Sequence, residues 1–321
     1  MKSITWLYRP GMESMAALQQ QAIRETLQYY GFHVTVQPWM ARSPWRHQGT
    51  CEWLVWSFVP TQLEVWSARL KASHQLGVLH ELPSANTRLP DLNHWMVASE
   101  SLRMHCLDVG IAAEKITVST AFNPPRSSQS SILRQKYNIV EQTPLIYVGG
   151  PMQTPQGNRM AVWALSILQY LHPHVRMILH GSGEATASVD LWAQGIVNGD
   201  VIYHEPCETC VHELVSQCDA VWLPRETDGV PDALLSGLTA GKPILTSRQP
   251  SMSEYIRHRH NGILIENNTA PAWASAMHQL LQDDALRMNI SAQAAKTSIA
   301  KSVALPDCLI DHSYQRAFSA A

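Results

Sequence analysis

Asp219-Ala-Val-Trp-Leu-Pro-Arg-Glu-Thr-Asp-Gly-Val-Pro-Asp-Ala-Leu-Leu-Ser-Gly-Leu-Thr-Ala-Gly-Lys-Pro-Ile-Leu245 is the stretch that decides how this chain is read. The apolar residues Ala220 to Leu223 predict a buried strand, and Asp228-Gly229-Val230-Pro231 predicts a turn carrying an acid. A helix with small residues on one face follows, and a second strand starts near Pro243. A helix beginning just after Asp228-Gly229 presents unpaired backbone N–H groups and the positive end of its dipole. That arrangement suits a phosphate or a cluster of sugar hydroxyls.

Outward from this stretch the same strand and helix rhythm continues. Towards the N-terminus of the second half it predicts strands at Leu145 to Val148, Val175 to His180 and Val201 to Tyr203, with helices at Asn158 to Leu171 and Cys210 to Cys218. Beyond it lie two closing helices, Ala270 to Gln282 and Asp284 to Ser298. The first third predicts strands at Ile4 to Tyr8, His33 to Gln37, Glu52 to Ser57, Gly77 to His80, Trp95 to Ser99 and Lys115 to Ser119. Helices are expected at Met12 to Tyr30, closed by Gly31, at Thr61 to Leu76 and at Glu100 to Asp108. Such alternation calls for parallel sheets covered on both faces. With 321 residues the chain suits two domains of about 150 residues each. The polar, Pro- and Ser-rich Asn123 to Ser131 is the best linker between them.

Composition narrows the partners. With 24 basic and 26 acidic residues the formal charge is -2, so nothing in the balance favours a polyanion and no nucleic-acid partner is expected. Six cysteines are too sparse for a disulfide scaffold in a chain this long, so a reducing cytoplasm is the expected location. The first residues form a short apolar strand rather than a signal peptide, and no run approaches the roughly 18 apolar residues of a spanning helix. Peripheral contact at the inner membrane face stays compatible with this. Seven of the 11 Trp fall in the first 100 residues, at 6, 39, 45, 53, 56, 66 and 95; core packing explains them better than an exposed stacking surface.

Several segments, in order, resemble the family-4 retaining glycosyltransferases. Leu145-Ile-Tyr-Val-Gly-Gly150 is similar to the strand and glycine loop that open the family's donor domain, and Met177-Ile-Leu-His-Gly-Ser-Gly-Glu184 to its next strand and Gly-x-Gly turn. Glu213 to Pro224 resembles the helix and strand before the acidic motif, and Ser251 to Ile256 with Asn261 to Ile265 its closing Glu-containing turn and strand. Gly77-Val-Leu-His-Glu-Leu-Pro83 is similar to the first domain's strand ending in a cleft His, while Met96 to Arg103 and Gly110 to Val118 resemble the segment leading to the linker. Gly-x-Gly after a strand is common in nucleotide-binding folds, so the order and spacing carry the resemblance.

The resemblance implies an α/β fold of the GT-B type, two Rossmann-like domains with parallel sheets facing a central cleft. Residues 1–124 are the expected acceptor-side domain, 125–142 the linker, 143–300 the nucleotide-sugar-binding domain and 301–321 a tail crossing back to the first domain. It implies sugar transfer from a nucleotide diphosphate sugar to a glycan or glycolipid, with retention and with neither metal nor cofactor; a peripheral membrane or protein partner is compatible. His80 and Asp228 are the expected catalytic pair. Gly149, Gly150, Arg159, Gly181, Gly183, Gly229, Val230, Pro231, Ser236 and Glu254 are the expected donor contacts, and Gly11 and Glu13 the acceptor-side loop.

The chain departs from the family at the donor site. The family has two Glu separated by seven residues where this chain has Asp228 and Ser236. Asp228 reads equally as a contact to the transferred sugar and as an N-cap of the following helix. Ser236 replaces a carboxylate that accepts from the ribose hydroxyls with a shorter, neutral hydroxyl. Gly150 and Gln156 stand where the family has an Arg and a Lys, so Arg159, Arg225 or Lys242 is the expected replacement cation. These departures motivate a second reading, a GT-B protein without turnover that serves as a sugar-nucleotide-binding or partner subunit. Cys207-x-x-Cys210 between His204 and His212 has zinc-ligand types, but no second pair follows, and the resemblance assigns this segment to the nucleotide-base loop.

Overall fold

The computed structural model describes residues 2–8, 32–38, 51–56, 72–83, 88–119, 132–150, 157–181, 183, 185–197, 199, 201–206 and 209–297. They fall into two compact units, one within residues 1–123 and one within 124–299. The tail expected over 301–321 and the helix expected over Met12 to Tyr30 lie outside the described residues.

In the first unit six parallel strands run in the order β2-β1-β3-β4-β5-β6. They are β1 (Lys2–Tyr8), β2 (Phe32–Pro38), β3 (Cys51–Trp56), β4 (Ala72–Leu79), β5 (His94–Val97) and β6 (Ile116–Val118). Trp53 to Trp56 and His94 to Val97 are buried without alternation, as expected of central parallel strands covered on both faces. Trp53, Trp56 and Trp95 belong to this core. Helix α1 (Glu100–Asp108) is started by Ser99, whose Oγ accepts from the Leu102 N–H at 3.1 Å.

β4 begins at Ala72, so Ala72 to Leu76, expected as the end of a helix, are strand; the rest of that expected helix lies outside the described residues. The polar residues that mimic a helix face are satisfied by neighbouring indoles instead. His74 stacks on Trp53 at 4.7 Å between ring centroids, and Gln75 Oε1 accepts from Trp56 Nε1 at 2.9 Å. Pairing with β3 thus overrides the local periodicity.

The second unit holds six parallel strands in the order β12-β11-β10-β7-β8-β9. They are β7 (Leu145–Gly149), β8 (Arg176–His180), β9 (Ile202–Glu205), β10 (Ala220–Leu223), β11 (Ile244–Ser247) and β12 (Ile263–Ile265). Its helices include α2 (Ile132–Lys136), α3 (Asn158–Leu168), α4 (Thr186–Ile196), α5 (Val211–Gln217), α6 (Asp232–Thr239), α7 (Pro250–Tyr255), α8 (Ala270–Gln282) and α9 (Asp284–Lys296). On one face Ile146, Val148, Ala220, Trp222 and Leu245 pack under α3 and α8. The alternate residues face the other way, where α5 packs on β7 and α6 on β10 and β11.

Three helices correct the sequence reading. α2 occupies part of the expected linker and is tied to its unit by the Leu133 N–H, which donates to Gln217 Oε1 at 2.8 Å. α4 matches no expected element, since it buries only Val189 and so carries little periodicity in its sequence. α7, expected as a turn, starts with Pro250 at its first position, where the missing N–H costs nothing.

The strand order reverses at β7, which lies between β8 and β10. The crevice beyond the carboxyl ends of β7 and β10 is therefore the topological switch point, the usual ligand position in open parallel sheets. In the first unit the order reverses between β1 and β3, and the loops after those strands lie outside the described residues.

Candidate active site

At the carboxyl end of β7 the chain continues through Gly149 and Gly150. A Cβ on Gly149 would collide with the Tyr147 hydroxyl, so glycine lets that ring fold against the strand end. The hydroxyl shares a hydrogen bond of 2.7 Å with His180 Nδ1 at the end of β8. Burial keeps the Tyr147 phenol well above its ordinary pKa, so its proton stays in place.

Gly157 is the N-cap of α3, with φ of 76°. A Cβ there would meet the Pro224 carbonyl, which follows β10. Only glycine allows this contact, and the contact brings the amino end of α3 to the switch point. The buried Asn158 follows, and its Nδ2 has no hydrogen-bond partner among the described residues. Gly181 extends β8 through its N–H, which donates to the Glu205 carbonyl at 3.0 Å, and the Gly183 N–H donates to Thr186 Oγ1 at 3.0 Å in the first turn of α4. Gly149, Gly150, Gly181, Gly183, Asp228, Gly229, Val230 and Pro231 thus gather at one edge of one sheet.

Asp228 is 6% exposed and holds α7. Its Oδ1 accepts from the Ser251 N–H at 2.8 Å and its Oδ2 from Ser251 Oγ at 2.7 Å. This corrects the expectation that it caps the following helix: α6 has Pro231 at its N-cap and no side-chain cap. Glu254 is exposed on α7, the helix that Asp228 anchors.

α6 carries two buried oxygens in a different state. Asp232 is 4% exposed and Ser236 is fully buried, yet Asp232 Oδ2 and Ser236 Oγ have no hydrogen-bond partner among the described residues. Burial raises the Asp232 carboxyl to about 7. Asp232 escaped the sequence reading. The signal was there, an acid opening the apolar run Ala233-Leu234-Leu235 four residues before Ser236.

The replacement cations separate clearly. Arg225 follows β10 at the switch point and is 4% exposed. Arg159 is engaged on α4, where it donates to Ser188 Oγ at 3.0 Å and covers the Trp192 ring at 5.6 Å. Lys242 precedes β11 at the opposite, amino edge, near Asp219 and Arg134. A parallel strand of this length separates it from the switch point, so it does not fit the expected role.

His80 follows β4 at the carboxyl edge of the first unit's sheet and is buried. Burial lowers its imidazole to about 4, so it is neutral around pH 7. Gly11, Glu13, Gln156 and Cys207 lie outside the described residues. No helix among the described residues is long and apolar enough to cross a membrane.

A family model described as glycosyl transferases group 1 matches residues 129–297, more than half of the chain. The chain belongs to the group 1 glycosyltransferases. Its relatives include a D-inositol 3-phosphate glycosyltransferase of Xylanimonas cellulosilytica, 25% identical over 202 residues, covering 61% of this chain and 47% of that enzyme. Another is the N,N'-diacetylbacillosaminyl-diphospho-undecaprenol alpha-1,3-N-acetylgalactosaminyltransferase of Campylobacter jejuni, 25% identical over 103 residues, 32% of this chain and 27% of that enzyme. The chain therefore spans about half or less of the length of these curated relatives. Among solved structures, Alr3699/HepE of Anabaena in complex with UDP-glucose superposes with a TM-score of 0.71 at 15% identity, covering 99% of this chain and 100% of that one. The architecture of this group 1 member is the GT-B type, two Rossmann-like units each built on a parallel sheet.

Proposed function

We propose that the chain is a retaining, metal-independent glycosyltransferase of family 4, moving a sugar from a nucleoside diphosphate to a glycan or glycolipid acceptor. The observation that carries this reading is the contact of Gly157 with the Pro224 carbonyl, which brings the amino end of α3 to the β7/β10 switch point. A diphosphate there receives helix N–H groups and a positive dipole end. Arg225 is a buried cation on the same edge, in place of those missing at Gly150 and Gln156. The UDP-glucose complex of HepE and the diphospho-undecaprenol named for the Campylobacter relative support the donor and acceptor classes.

In this mechanism the acceptor oxygen bonds to the sugar's anomeric carbon on the face the phosphate leaves. The anomeric carbon–phosphate oxygen bond breaks, and the departing phosphate takes the acceptor proton. Asp228 shapes the sugar end of the pocket through the α7 turn it holds. His80, neutral near pH 7, acts by hydrogen bonding rather than by charge.

The test incubates the purified chain with uridine-, guanosine- and adenosine-diphosphate sugars, following nucleotide release and thermal stabilisation with and without Mg²⁺. Stabilisation by one donor class and nucleotide release with a glycan or lipid-linked acceptor are expected without the metal. No stabilisation by any donor overturns the reading. Binding without turnover across a broad acceptor panel assigns the chain to the partner-subunit reading.

A further inference from the structure

Asp232 and Ser236 sit at positions i and i+4 of α6, hence on one face of it. Each presents a buried oxygen without a hydrogen-bond partner among the described residues. Such groups are rare in folded proteins, and each signals a missing partner or a functional cost. Above about pH 7, where it is ionised, Asp232 is an acceptor only, so the partner it lacks there is a donor. The position is also informative. α6 follows the loop that leaves β10 at the switch point, the edge at which the Tyr147 hydroxyl lies against Gly149.

We propose that Asp232 and Ser236 are a hydroxyl-binding pair for the nucleotide-sugar donor, in which Asp232 Oδ2 accepts from one hydroxyl of a vicinal diol and Ser236 Oγ meets its neighbour. This rests on the donor reading above. At pH 8 the ionised carboxylate excludes the diphosphate itself as the partner, because it too is an anionic acceptor and would repel Asp232. Within a nucleoside diphosphate sugar, hydroxyl donors occur on the ribose and on the transferred sugar. The carboxylate thereby supplies from one turn earlier in α6 an acceptor that Ser236, neutral and short, does not provide alone.

The experiment measures binding by calorimetry at pH 8 on the full chain and on Asp232→Asn and Ser236→Ala. The probes are UDP, GDP and ADP, their 2′,3′-dideoxyribose counterparts, and the matching glucose diphosphates. Asp232→Asn should weaken the diol-bearing ligand by about 10- to 100-fold and Ser236→Ala by several-fold. If the ribose supplies the diol, the dideoxy ligand binds equally to the unsubstituted chain and Asp232→Asn. If the sugar supplies it, the loss is confined to the glucose diphosphates. Thermal unfolding run alongside separates folding from binding: Asp232→Asn should unfold no earlier than the parent while binding more weakly. Unchanged affinity in both variants overturns the pair alone, and absence of any binding by the unsubstituted chain overturns the donor reading beneath it.

Discussion

Asp228 and Asp232 stand on either side of Pro231, buried to nearly the same degree, and the fold treats them in opposite ways. The first gives both carboxylate oxygens to Ser251, 23 residues further along the chain. The second is enclosed by an apolar helix that offers its Oδ2 nothing among the described residues. The acid at the motif position is thus a fastener of the site, and the acid outside the motif is the one left with spare binding capacity. Burial alone does not decide what an acid does. What decides it is whether the fold brings donors to it.

The contrast breaks most severely if Asp228 is removed. Asp228→Ala deletes two acceptors from Ser251 at the start of α7, and two hydrogen bonds to a charged group amount to about 3–6 kcal/mol. Denaturant unfolding should show a loss of that size. Little change would mean that α7 holds without the bond, and the contrast between the two acids would disappear.

Titration sharpens the other side. The Asp232 carboxyl is raised to about 7, so the folded state holds its proton where the unfolded chain has released it. Its contribution to stability is complete below about pH 4, declines as the pH rises through 7, and is flat above. Asp232→Asn removes that decline. The variant and parent should match near pH 4, and the variant should be more stable at pH 8 by up to about 4 kcal/mol, read as the difference between their denaturant midpoints. A constant difference across this range would show that Asp232 does not titrate there. The smallest effect belongs to Ser251→Ala, which removes the hydroxyl but leaves the backbone N–H bond to Asp228. A loss of about 1.5–3 kcal/mol is expected, roughly half that of Asp228→Ala.

Much of the second unit was readable from local pattern. Ala220 to Leu223 is a strand with the predicted ends, and the acid-bearing turn leads into a helix as expected. These features depend on residues adjacent in the chain. The partner of Asp228 was not readable, because nothing near Asp228 announces a bond to Ser251. The state of Asp232 was hidden for the same reason, since α6 is buried around most of its circumference only after α5, β10 and β11 pack on it. The early start of β4 was obscured by polar residues whose partners, Trp53 and Trp56, lie on another strand. The displaced cation shows the same limit: Lys242 is close in sequence to the motif but stands at the other end of a strand.

Glu205 ends β9 almost fully buried, and its Oε1 accepts from Lys136 Nζ at 2.7 Å and from Tyr137 Oη at 2.8 Å. Tyr137 also stacks on Tyr203 at 4.3 Å, and Arg134 pairs with Asp219 at 2.9 Å. These moorings bind the segment from Ile132 to Tyr137 at both edges of the second unit's sheet. Part of what the resemblance assigns to a linker is therefore ballast: the residues from Ile132 to Tyr137 are lashed to the second unit by charge, hydrogen bond and ring stacking, and count as part of its body.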